Sequence, residues 1–364
     1  MLAVSFLAAL PLAGAPMAVE GDEPTGPLTA IRAEVLHLGD GRHIEDGVLI
    51  LREGKIEAVG KIEVPKDALV IEHDGHLAPG FVAAHSTLVS SSERGDSTRA
   101  FLESAQVRYG FDPERRAVRE ALAAGVTSAV LSPSDFNVVG GQAAVVKTHG
   151  GTWLDEQAHL FVSLNSNSAS TLRYPTSYQA ALAEFATRLE VGEGIYGEVA
   201  QGQRPVLLAA YDKQEAVRAA ALAQKFGLDA QLVGTTLAGE MLESLEGTGL
   251  GLVHNGLAAG ASRRSREALA AVANSELPLA FALTDPASFR MGAVLAARAG
   301  GDADRLFTAL CHGGAEAAGV SERVGRLAGG LDADFVLWSG HPLDLTSRIE
   351  AVYVDGQLAH GGAQ

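Results

Sequence analysis

The strongest constraint on how this chain can fold is a change of texture at two points along it. From Leu28 to Leu77, short alternating apolar runs are split by Gly and Asp, as in Gly39-Asp40-Gly41, Arg52-Glu53-Gly54 and Asp74-Gly75. The same texture returns from Phe335 to Leu358, closing on Asp355-Gly356. Such runs read as antiparallel strands joined by tight turns. Neither end has enough strands for a β-sandwich alone, but joined they do. Between them, strands alternate with amphipathic helices. Strands are expected at 80–84, 127–131, 160–164, 205–209, 229–233, 251–254 and 279–284. Helices are expected at 114–124, 178–189, 213–226, 239–245, 265–274, 288–298 and 304–317. Repeated βα units with short loops imply a parallel sheet, and nearly eight of them a closed barrel. Seven are visible; the eighth is placed at 143–147 or within 165–174, and an open doubly wound sheet would account for seven as well.

Composition supplies the filling. Of 364 residues, 47% are hydrophobic and only 5% aromatic, so the core must be mainly Ala, Val and Leu, the usual packing of α/β layers. The net charge of −16 comes without a Lys/Arg cluster, which argues against nucleic acid as a partner. The single cysteine, Cys311, excludes an intramolecular disulfide and a cysteine zinc cluster; it reads as a small buried hydrophobe. The apolar run from Leu2 to Leu12 is too short to span a bilayer and suits the h-region of an export signal within residues 1–18. That reading gives a periplasmic or extracellular protein without stable membrane insertion; the other is an apolar tail on a cytoplasmic protein. The expected organisation is a composite domain from 28–78 and 327–364, with a barrel over 79–326.

The stretch Leu77-Ala-Pro-Gly-Phe-Val-Ala-Ala-His-Ser-Thr-Leu88 resembles the first barrel strand of the amidohydrolase superfamily, where a Pro-Gly turn leads into Asp-Ala-His-Thr-His. The run Val324-Gly-Arg-Leu-Ala-Gly-Gly-Leu-Asp-Ala-Asp-Phe-Val-Leu-Trp338, with His341-Pro342 and Val354-Asp-Gly356, looks like that family's return from barrel to sandwich. Val139-Gly-Gly-Gln-Ala-Ala-Val-Val-Lys147 is similar to a loop of the imidazolonepropionase-like branch. The resemblance implies an α/β fold: a TIM (β/α)8-type barrel with a small β-sandwich formed by the two terminal segments. It also implies hydrolysis of non-peptide carbon–nitrogen bonds with one or two divalent metals, such as zinc, at the C-terminal face of the strands. A neutral amide resists water, and a metal answers this by lowering the pKa of a bound water and polarising the carbonyl.

Carried over position by position, the family's metal set is thin. His85 aligns with the first His of the first-strand pair, but its partner position is Thr87 and the preceding Asp is Ala83. The fifth-strand segment ends in Ala210-Tyr211 without a His, and the sixth ends at Gly234 where relatives place His. Asp285 matches the eighth-strand Asp. His254, ending the seventh strand, is a third candidate ligand; Lys147 as a carbamylated bridge is weaker still, and His149 and His312 lie elsewhere. His73, His76 and His341 read as structural. Bland alternatives stand beside each candidate. Asp285 before Pro286 can cap a helix with help from Ser288, His85 can fill the barrel mouth, and Gly140 and Gly141 can serve a tight positive-φ turn.

Two functions remain. In the first, the chain is an exported hydrolase with a reduced metal site, Asp285 shuttling the proton and His85 ligating. In the second, it is a catalytically inactive relative that keeps the barrel to bind a small molecule or partner and needs no cofactor; the residues favour this one. Substrate and the choice among monomer, homo-oligomer and hetero-oligomer are not encoded legibly.

Overall fold

The structure is a computed structural model that describes residues 26–96 and 98–362; the expected export signal lies outside them. The two ends meet in one mixed sheet. From the N-terminal part come β1 (Thr29–His37), β2 (His43–Arg52), β3 (Lys55–Gly60) and β4 (Leu69–Pro79). From the C-terminal part come β13 (Phe335–Trp338), β14 (Ile349–Val354) and β15 (Gln357–Gly361). Their order is β15-β14-β13-β4-β1-β2-β3, with β13 antiparallel to β4 and β1 parallel to β4. The sandwich expected from joined termini thus takes the form of a single hydrogen-bonded sheet. One face buries Ile31, Leu49, Ile56, Leu77, Phe335 and Leu337 together, so neither half keeps its apolar face dry alone.

The middle of the chain closes into an eight-stranded barrel, which excludes the open sheet. Its strands run in order from β5 (Phe81–Ser86) through β6 (Val126–Leu131), β7 (Val139–Lys147), β8 (Trp153–Ser163) and β9 (Val206–Ala209). Then come β10 (Ala230–Val233), β11 (Gly251–His254) and β12 (Leu279–Leu283), which pairs back onto β5. The eighth strand lies at the first of its two expected places. It departs from a (β/α)8 pattern, however, because β7 is antiparallel to both β6 and β8 and no helix intervenes. The segment read as a Gly-Gly loop is therefore strand. Gly141 does take positive φ, +116°. A Cβ there would come within 2.5 Å of the Ala105 carbonyl, and one at Gly140 within 2.8 Å of the Ser134 carbonyl, so close backbone approach fixes both glycines.

Helices cover the barrel: α1 (Arg116–Ala123), α2 (Tyr178–Val191), α3 (Ile195–Ala200), α4 (Lys213–Phe226), α5 (Leu242–Leu245), α6 (Arg263–Ala273), α7 (Met291–Arg298), α8 (Ala303–Leu310) and α9 (His312–Ala317). α4 shows why the boundaries fall where they do: Asp212 and Glu215 form a capping box, and Gly227 ends the helix in the left-handed region. The helix expected over 304–317 is broken at Cys311, which is fully buried. Inside the barrel, Val82, Ala84, Val130, Ala143, Val145, Phe161, Leu207, Ala209, Val233, Val253, Ala280 and Ala282 form a packed core, joined by Ala315, Ala317 and Val320 from α9 and its exit. The barrel is a filled core, not a pore.

Candidate functional site at the barrel mouth

Seven barrel strands are parallel, so their C-terminal ends share one rim, where such barrels carry their chemistry. Side chains alternate along a strand. Ser163 lies in the same inward register as Phe161, and Ser132, Tyr211, Thr235, Asn255 and Thr284 follow the last residues of β6, β9, β10, β11 and β12 at the same rim. These side chains carry hydroxyls and one amide, with no carboxylate. His85 joins them, its ring stacked on Phe161 at 5.7 Å between centroids.

The three candidates from sequence stand in different surroundings. His85 is buried, its Nδ1 has no hydrogen-bond partner, and burial holds its pKa down at about 4. Its ring is therefore neutral at pH 7, with one nitrogen uncommitted. His254 has both nitrogens engaged. The Gly256 backbone N–H donates to Nδ1 at 2.9 Å, which puts the proton on Nε2, facing the Thr236 carbonyl at 3.4 Å. Burial again holds its pKa at about 4. Asp285 is exposed and caps the turn Pro286–Ser288, accepting from the Ala287 N–H at 3.3 Å and the Ser288 hydroxyl at 2.8 Å. It lines a cavity of about 480 Å³ with Glu120, Ala123, Arg290 and Ile349, outside the barrel against α1 and the sheet. No three His, Cys, Asp or Glu side chains among the described residues are grouped so as to hold a metal ion.

Next to Gly234 stands Tyr211. Gly234 has φ of +94°, and a Cβ there would meet the Tyr211 ring at 2.5 Å. The fifth-strand tyrosine thus occupies the space into which a sixth-strand side chain would project. Its hydroxyl donates to Asp135 Oδ2 at 2.7 Å, and Asn167 Nδ2 donates to the same oxygen at 3.1 Å. Its backbone N–H donates to the buried Glu215, whose other oxygen accepts from the Ser166 N–H, both at 2.9 Å. Lys147 is at the opposite end of the barrel, paired across from Ser128. There it is fully buried against Asp332 at 2.8 Å and Asp334 at 3.0 Å, with Asp355 completing the cluster. Sequence reading missed Asp135 and Glu215; it placed the polar stretch 90–108, which contains Arg94, over part of the mouth, as a ligand contact or a solvated loop. Strand alternation could have flagged the polar layer, but no local pattern marks loop residues that reach back over it.

Against known proteins, a family model matches the C-terminal third of the chain. The amidohydrolase family model matches residues 232–360. The matched segment begins in β10 and contains Gly234, His254 and Asp285. An amidohydrolase from Thermotoga maritima superposes with a TM-score of 0.82 at 22% identity, covering 92% of this chain and 100% of that one. The ochratoxinase of A. niger superposes at 0.60 with 16% identity, over 92% and 96% of the two chains. An adenosine deaminase from Xanthomonas campestris, with zinc bound, superposes at 0.55 with 17% identity, over 92% and 93%. Such identities speak for a shared fold. No curated protein matches the sequence.

Proposed function

We propose that the whole chain is an amidohydrolase relative, of the imidazolonepropionase-like branch, whose barrel mouth binds a small molecule without the family's metal-dependent hydrolysis. The observation that carries this reading is the Tyr211 ring lying against Gly234, together with a rim layer of neutral hydroxyls and an amide. A divalent metal, were it bound, would supply an activated water and a polarised carbonyl. Holding one takes about three or more protein ligands. Here His85 offers one free nitrogen, His254 has spent both of its own, and the Asp285 carboxylate is committed to a turn outside the barrel. The donor set does not fit, and no catalytic step is derived through a metal.

The hydrolase reading, with Asp285 as proton shuttle, makes the opposite demand: Asp285 must leave its cap and face His85 across the rim. Thermal melting separates the two. A binding protein of this kind melts at the same temperature with chelator or with added zinc. A structural or catalytic ion stabilises the folded state by mass action and raises the melting temperature by several degrees; such a rise would overturn the proposal.

A further inference from the structure

Arg94 lies in the loop after β5, half-buried over the mouth. Among the described residues its guanidinium makes no hydrogen bond and no ion pair, and its Nε is buried without a partner. It lies close enough to His85, Asp135 and Tyr211 to interact electrostatically with each. Asp135, the nearby carboxylate, is taken by the Tyr211 hydroxyl and Asn167. A guanidinium carries five donors in a planar fork, and leaving it desolvated and unpaired is costly. The rim carries three further polar atoms without partners, each on a buried residue: His85 Nδ1, Ser132 Oγ and Ser163 Oγ. Their positions at the ends of β5, β6 and β8 put all three on the inner rim. Water could satisfy the hydroxyls; the Arg94 charge meets the nearby Asp135 carboxylate without a hydrogen bond to it among the described residues, so its N–H groups remain open to a ligand.

We propose that the barrel mouth is a binding site for a small oxyanion, a carboxylate or a phosphate, gripped by Arg94 and received by His85, Ser132 and Ser163. This rests on the reading of the mouth as a binding site and names its ligand class. The local cation matters all the more because the chain as a whole carries −16, so bulk electrostatics repel anions and the affinity must come from this one contact. Arginine suits the task because both carboxylate and phosphate can take two of its N–H groups at once.

The test is calorimetric titration of the full chain with inorganic phosphate, benzoate and, as a neutral control, benzamide. Nitrogen-15 spectra of the imidazoles follow in parallel. One of the two anions binds saturably, benzamide does not, and the binding moves the His85 ring resonances. Arg94→Gln weakens binding at least tenfold while circular dichroism and melting stay as in the parent, and Arg94→Lys recovers part of the loss. The stronger anion identifies the source chemistry. Equal binding by Arg94→Gln, silent His85 resonances, or no saturable binding by either anion overturns the site. A metal-free protein that fails to bind anions sinks this inference alone; stoichiometric metal sinks the reading beneath it.

Discussion

At the scale of single residues, Tyr211 and Gly234 act as a pair. The glycine sits at φ of +94°, where a side chain is strained, and it leaves room for the ring. Gly234→Ala is therefore expected to destabilise the fold by about 1–3 kcal/mol in urea unfolding. In a Tyr211→Ala background the same change costs less, because the clash is gone and only the backbone strain remains. Strict additivity of the two would show that the ring does not occupy the sixth-strand position. His254 makes a second case: its nitrogens serve the backbone beyond β11 at Gly256 and beyond β10 at Thr236, so a His that reads from sequence as a rim ligand ties two loops together.

At the scale of elements, β7 decides how the barrel and the sheet are joined. Running antiparallel, it carries Lys147 to the base of the barrel, where three carboxylates from the returning C-terminal segment meet it. Burial alone would lower the Lys147 pKa, but Asp334, Asp332 and Asp355 outweigh it and hold the ammonium charged. Lys147→Met leaves these carboxylates short of their buried counter-charge and is expected to cost about 3–5 kcal/mol; a loss under about 1 kcal/mol in denaturant unfolding would show the cluster to be incidental. The alternation of apolar runs in the sequence exposed the seven parallel strands and the split sheet, since period and turn chemistry are local. The direction of β7 was hidden because it is buried nearly throughout and a buried strand looks the same in either sense. That Gly234 and Thr87 stand where the resemblance leads one to expect histidines was legible in the sequence. The stretch 90–108, with Arg94, was legible as a cover of the mouth, but Asp135 was not, because it reaches the mouth from a loop whose course depends on tertiary contacts.

At the scale of the whole molecule, buried neutral histidines make stability fall with acid. Burial holds His85, His159 and His254 down to about 4 and, with neighbouring His341, His76 and His43, His37 to about 3. The unfolded chain takes up these protons near pH 6.5 and the folded one only near 4 or below. Their contribution is thus full above about pH 6.5 and is lost as pH falls toward the folded values, at up to about 1.4 kcal/mol per pH unit for each group. Asp334, which burial pushes up to about 6, works in the opposite sense but is a single group. The melting temperature is expected to drop clearly between pH 7 and pH 5, and His159→Phe to make that drop shallower; a flat profile would contradict the burial of these rings. Among the described residues, no helix is long and apolar enough to cross a membrane.

The account turns on whether the rim of this barrel can retain a divalent ion. Elemental analysis by plasma mass spectrometry, on full-length protein purified without chelator and dialysed against zinc, reads that directly. Well below 0.1 equivalent of any transition metal per chain is the expected value, an order of magnitude short of one tight site. A reproducible full equivalent, lost on replacing His85, would contradict it.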